Sequence, residues 1–383
     1  MITEPFALFV AISAVIALAH GIAARSKLAE RIGITQLVIF SGLLLGNVGV
    51  VTQTDDAYDM LSRYVVPLSI ALLLFRLDLR ELRTLKAQHL LFFLIGSACS
   101  VIGGLVAFFL FGDRIGPDAG RLTGQLVASY IGGGENSVAV AKAVEVPTDL
   151  FTAAFAADNV VTALWMMIGL SAPFGFSRFF STEMPQEQIL AAREHSQPVT
   201  SATLIPNIVY ALALAGGILI ASIAIAKPIR AFAEANQIQW LRFNTTILWV
   251  TTFALLVAQT PLRRVLNVSY SLGMLLFYYF FFYMGAVSSI QEIVRFGPAV
   301  FVFVATIVAV HGALILAAGK LSKADLATIF VCSQANIGGP STAVALAEAN
   351  GWYHMVTPAI LLGILGYAIA NYIGLFLAQA LTG

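Results

Sequence analysis

Long apolar stretches alternate with short polar turns along most of this chain. A helix needs about 20 mostly apolar residues to cross hydrocarbon. Runs of that kind lie near 6–24, 32–50, 62–75, 88–112 and 150–171, and again near 204–226, 243–260, 268–287, 297–318 and 355–381. The run at 62–75 is the shortest of them. The pattern predicts an all-α integral membrane protein of about ten transmembrane helices. The opening Met1-Ile2-Thr3-Glu4-Pro5 carries no basic residue, and no cleavage pattern follows the first apolar run, so that run reads as a retained span.

Two further segments, 121–146 and 326–350, are apolar but broken at their middles by glycine. Each arm is too short to span as one regular helix. Each is either a crossing helix broken at its centre or a re-entrant hairpin of two half-helices, and arm length favours the hairpin. Both need burial inside protein, because unpaired backbone is not tolerated against lipid.

Laid over one another without gaps, Ile131-Gly-Gly-Gly-Glu-Asn-Ser-Val-Ala-Val-Ala-Lys-Ala-Val144 and Ile337-Gly-Gly-Pro-Ser-Thr-Ala-Val-Ala-Leu-Ala-Glu-Ala-Asn350 agree at seven of fourteen positions. Four apolar runs precede each motif and one follows it. The chain therefore reads as a duplicated unit: 1–171 as a first repeat, 172–203 as a polar linker holding Pro173, Glu183, Pro185, Glu187, Arg193 and Glu194, and 204–383 as a second repeat. Hairpins give five crossings per half and inverted repeats, a recurrent plan among secondary transporters. Broken crossing helices give six, and parallel repeats. Arg25, Lys27 and Arg31, with Arg76, Arg80, Arg83 and Lys86, favour the cytoplasm for the first and third loops. The acidic Asp55, Asp56 and Asp59 and the N-terminus then lie outside.

Composition agrees with this reading and narrows the functions. Hydrophobic residues make up 59% of the 383 positions and charged ones 11%, far below the share a solvated surface requires. The net charge of +1 suggests no nucleic-acid partner. Cys99 and Cys332 sit in apolar stretches as small core residues. No enzyme motif, Cys/His ligand cluster or phosphate loop occurs, so neither a catalytic residue nor a cofactor is expected.

The glycine motifs are the candidate binding sites. Glycine lets the chain turn sharply, and a broken helix frees N–H groups that suit a carboxylate and carbonyls that suit a cation. Tyr130, Gly132, Gly133, Gly134, Glu135, Asn136 and Ser137 form one candidate site; Asn336, Gly338, Gly339, Pro340, Ser341 and Thr342 form the other. Pro340 falls where a second half-helix would begin. Asp158 and Asn159 lie deep in an apolar run, where a charge costs about 2.5–3.5 kcal/mol. Asp158 is the candidate coupling-ion ligand or proton acceptor, with Asn159, Gln334 and Asn336 beside it, and Na+ is a candidate ion near Asp158. His311 reads as a histidine bonded to a carbonyl, and Gln259 and Asn371 as links between helices.

Tyr130-Ile-Gly-Gly-Gly-Glu-Asn136, the Ala-Ala-Asp-Asn run ending at Asn159, and Ala335-Asn-Ile-Gly-Gly-Pro-Ser341 together resemble the YjcL-like membrane proteins, a family of unknown function found in bacteria and plastid-bearing plants. That family's usual small polar residue near Gly134 or Glu135 is here acidic, which marks a different solute or ion preference. More distantly the pattern is similar to the 2-hydroxycarboxylate transporters and the glutamate–sodium symporters. Those resemblances imply a homodimer in which a transport domain moves against a scaffold with sodium or proton coupling. Gly132, Gly133, Gly338 and Gly339 would be hairpin tips, with Asn136, Asn336 and Ser341 lining the sites. The expected function is ion-coupled transport of a small anionic organic solute across a bacterial cytoplasmic membrane; the alternatives are a passive channel and a membrane sensor or scaffold.

Overall fold

Inside hydrocarbon a segment must close its own backbone hydrogen bonds, which a helix does without help. The chain is correspondingly helical. The computed structural model describes residues 1–383 apart from 27–28, 30–32, 54–57, 59, 76–77, 181–200, 237–244, 267 and 383. Lys27, Arg31, Asp55, Asp56, Asp59 and Arg76 lie outside the described residues. So does most of the expected linker, including Glu183, Pro185, Glu187, Arg193 and Glu194.

The first half runs through α1 (Pro5–Ala23), α2 (Ile34–Asn47), α3 (Val66–Leu74), α4 (Ala87–Ile115), α5 (Ala119–Gly132), α6 (Gly134–Ala143) and α7 (Thr148–Leu170). The second runs through α8 (Ser201–Ala235), α9 (Thr246–Ala258), α10 (Ser269–Val287), α11 (Ile290–Ser322), α12 (Leu326–Ile337), α13 (Gly339–Ala349) and α14 (Val356–Thr382). Local chemistry sets several of these starts. The Glu4 carboxylate accepts from the Phe6 and Ala7 amides, with Pro5 at the first helical position, and Asp325 caps α12 through the Thr328 amide and hydroxyl.

Seven of the described helices are long and apolar enough to cross a membrane: α1, α4, α7, α8 from Leu204, α10, α11 from Ile293, and the stretch Tyr353–Thr382 that holds α14. Three of the ten expected spans fall short. α2 has 14 residues and α9 has 13, and the run at 62–75 is a π turn, Leu61–Val65, leading into the nine-residue α3. At 1.5 Å per residue, 13 residues cover about 20 Å of a core roughly 30 Å thick. α3 is buried at eight of its nine positions, so protein rather than lipid surrounds it and the full length is not required.

Contacts between helix ends sort the loops onto two opposite faces. On one face Ile2 bridges to Val51, Asn47 donates to the Ser288 carbonyl at 2.8 Å, the Ser289 amide donates to Asp149 at 2.7 Å, and Gly120 abuts Leu381 and Thr382. On the other, Gln259 accepts from the Leu79 amide at 2.9 Å, Arg263 pairs with Asp78, Lys320 donates to the Phe179 carbonyl at 2.8 Å, and Asn350 donates to the Gly169 carbonyl at 3.1 Å. The glycine-centred segments can be placed against these faces. Arg121 at the start of α5 reaches the Glu145 carbonyl just past α6 at 3.5 Å, so the two arms fold back on one another. The mouth of α12–α13, between Asp325 and Asn350, lies on the opposite face. Both segments are hairpins, and they enter from opposite ends.

The helices pack as two bodies. α2 lies on α10, α10 on α3, and α9 on α3 and α8, with α1 alongside. α4 crosses α11, α11 packs on α7, α5 runs along α14, and α12–α13 lie against α4 and α14. The α5–α14 seam is a ladder of small residues in which Gly120, Gly124, Ala128 and Gly132 face Gly366, Ala370, Gly374 and Ala378. Without a hydrophobic force between helices in lipid, such close backbone approach supplies the packing.

Candidate functional site

Each hairpin turns at a glycine whose backbone other residues rarely adopt. Gly133 has φ 90° and ψ 179°, and Gly339 has φ 75°. The two turns meet: a methyl group built on Gly133 would lie 4.0 Å from Gly339 Cα and 3.5 Å from the Tyr367 ring of α14. The sequence motifs, 206 positions apart, thus become neighbours at the centre of the molecule.

Two cavities share walls at this junction. The larger, about 380 Å³, is lined by Leu73 and Leu74 of α3, Tyr270, the hairpin residues Pro340, Ser341 and Val344, and Ile360, Ile364 and Tyr367. A much smaller pocket shares Leu73, Leu74 and Tyr367 with it and adds Glu135, Asn136 and Ile70. Glu135 and Ser341, which align in the two glycine motifs, line adjoining pockets with a shared wall. Leu73, Leu74, Tyr270 and Tyr367 carry no distinguishing signal in the sequence; they join the site only because α3, α10 and α14 converge there. A separate cavity of about 620 Å³ opens beside the α6–α7 turn, where Lys142, Glu145, Lys227 and Arg230 lie among apolar walls.

The other expected site residues fall into separate hydrogen-bonded groups. Asn136 donates to the Tyr367 carbonyl at 3.0 Å and to Asn371 Oδ1 at 2.8 Å, and Asn371 donates to Thr251 on α9 at 3.0 Å. Its amide N–H groups fasten the first hairpin to α14 instead of facing a solute. Asn336 is likewise spent: it donates to the Phe93 and Cys332 carbonyls and accepts from Ser97 at 2.8 Å, tying the second hairpin to α4. Because all three bonds are buried, Asn336→Ala should cost about 2–4 kcal/mol, read as a fall in thermal midpoint in detergent. Gln334 donates to Thr342 at 3.0 Å across the turn of its own hairpin, and Asn159 bonds the Phe155 carbonyl at 2.8 Å, one turn back. Ser137 is buried with its hydroxyl unpartnered, as is Gln334 Oε1, and the Tyr130 hydroxyl lies beside Asp158.

Asp158 stands apart from both asparagines. It accepts from the Ser129 hydroxyl at 2.6 Å and the Thr162 hydroxyl at 3.0 Å. Asp158 is only 7% exposed, and no cationic side chain pairs with it among the described residues. Hydroxyls orient a carboxylate without neutralising it.

His311 bonds two hydroxyls as well as the expected carbonyl, that of Gly96. Trp165 Nε1 lies 3.0 Å from Ser333 Oγ, Ser333 Oγ lies 2.8 Å from His311 Nε2, His311 Nδ1 lies 2.9 Å from Ser100 Oγ, and Ser100 lies 2.7 Å from the Tyr130 carbonyl. The indole can only donate and the carbonyl can only accept, so the protons all point one way. His311 is therefore the neutral Nδ1–H tautomer. The chain caps a carbonyl freed by the break at Gly133 and links both hairpins to α4, α7 and α11. Gln259 and Asn371 act as the expected helix links, Gln259 to the turn at Leu79 and Asn371 to α9.

Paired glycine hairpins meeting inside a helical bundle define a polytopic membrane protein with a buried polar centre. The chain belongs to the family described as a protein of unknown function (DUF819), matched over residues 7–383. It is similar to the uncharacterized membrane protein YjcL of Bacillus subtilis (strain 168), with 32% identity over 380 residues that cover 97% of this chain and 95% of that protein. The resemblance to YjcL-like membrane proteins is thereby established.

Proposed function

We propose that this protein is an ion-coupled secondary transporter of a small organic solute, built from two inverted repeats. The meeting of the two hairpin tips at Gly133 and Gly339 carries the reading, because hairpins from opposite ends reach one central site without leaving an open path. Inverted halves with interrupted helices at mid-depth are a recurrent transporter plan. The two packed bodies supply the moving parts: α4–α7 with α11–α14 slide as a transport domain past a scaffold of α1–α3 and α8–α10. The polar contacts between them are few, chiefly Thr251 to Asn371, Thr252 to Tyr372 at 2.7 Å, and Thr152 to Ser288 at 2.6 Å. Asp158 binds the coupling proton or sodium ion. The chain works as a homodimer in a bacterial cytoplasmic membrane. Arg80, Arg83, Lys86, Arg178, Arg263, Lys320 and Lys323 lie on or beside one face, against Arg114, Arg121, Lys142, Lys227, Arg230 and Arg295 at the other, and the slightly richer face is placed in the cytoplasm with the N-terminus outside.

Reconstituted in proteoliposomes, the protein should take up solute with saturable kinetics, faster under an imposed sodium or proton gradient. Rapid flux that ignores both gradients and fails to saturate would identify a channel instead.

A further inference from the structure

The solute's charge can be read from the hairpin junction. Half-helix starts favour an anion when their N–H groups are free. Here both starts are poorer seats than a plain helix N-terminus. In α6 the chain supplies its own anion, since Glu135 lies in the first turn and its carboxylate turns back to its own backbone amide. In α13 Pro340 removes one of the first-turn N–H groups.

What lines the space instead suits a cation. No Lys, Arg or His borders either cavity at the junction. Glu135 makes no hydrogen bond or ion pair with another described residue, and Tyr278 and Tyr367 lie close enough to sense its charge. The rest of the wall is the aliphatic surface of Leu73, Leu74, Val344, Ile360 and Ile364, with the rings of Tyr270 and Tyr367 and one hydroxyl at Ser341. A half-buried carboxylate that faces no cationic side chain favours a cationic ligand, and aromatic faces attract ammonium groups. An organic anion would face Glu135 with nothing to offset the repulsion.

Building on the transporter reading, we infer that the junction takes a small organic amine: its ammonium pairs with Glu135 and its apolar body lies against Leu73, Leu74 and Tyr367. This reverses the sign that half-helix starts alone suggest.

Three probes share one apolar body and differ only in the head group: isobutylamine, isobutyrate and isobutanol. Titrated into the purified full-length protein, isobutylamine should raise the thermal midpoint saturably, and the other two should not. Glu135→Gln should weaken amine binding by about tenfold or more while still unfolding cooperatively. Glu135→Asp, which keeps the charge, should retain part of it. The inference is overturned if isobutyrate stabilises and the amine does not, or if Glu135→Gln binds the amine unchanged. It is also overturned if sodium chloride alone protects through Glu135 and the amine fails to compete. The two readings fail separately: amine binding without uptake in proteoliposomes sinks transport alone, and gradient-driven uptake of isobutyrate sinks the amine alone.

Discussion

Gly366→Leu should release the first hairpin from its bed and lower the protein's stability more than any substitution on the lipid-facing surface. A side chain at this position would run into the Ile131 carbonyl, with Gly132 Cα 3.2 Å from its first carbon. Those atoms belong to the backbone just before the break at Gly133, so they cannot rotate aside as a side-chain tip could. Overpacking of a tight core typically costs about 1–3 kcal/mol, and a backbone obstacle places this case at the upper end. The measurement is the thermal midpoint of the purified protein, together with its retention on size exclusion. Gly217→Leu is the control: nothing lies within 4 Å of a carbon added there, and replacing a helix-interior glycine should gain up to about 1 kcal/mol. Equal losses from both variants would refute the packing account of the α5–α14 seam.

Removing the charge at Asp158 should abolish gradient-driven uptake and leave the fold standing. Asn is nearly isosteric but has one acceptor oxygen where Asp158 uses two, so Asp158→Asn can accept from only one of Ser129 and Thr162 and must donate to the other hydroxyl, while it loses the charge. Interactions with a charged group are worth about 1.5–3 kcal/mol, so uptake under a gradient should fall by roughly tenfold or more. Thr162→Val, which removes one donor at 3.0 Å, should weaken coupling less. A variant with normal midpoint and unchanged ion dependence would remove Asp158 from the mechanism.

Much of this was legible one residue at a time. Hydropathy located the helices because lipid imposes length and apolarity on each span independently of its neighbours. α3 falls outside that rule because protein shields it, and shielding is a property of the assembled bundle. Glycine pairs 206 positions apart marked the hairpins, since a turn of φ 90° or 75° restricts the residue type locally.

The amino-acid sequence by itself determined that this is a helical membrane protein with two matching glycine turns and one costly carboxylate. Only the tertiary structure decided what those polar groups do. Asn136 and Asn336 look alike as buried amides, yet their partners, Tyr367, Asn371, Phe93 and Ser97, lie 231 to 243 positions away. A hydrogen bond within a helix follows from spacing, whereas one across the bundle depends on which helices touch. The two hairpin tips meet for the same reason: their separate turns were written locally, and Gly133 and Gly339 became neighbours only when the chain packed.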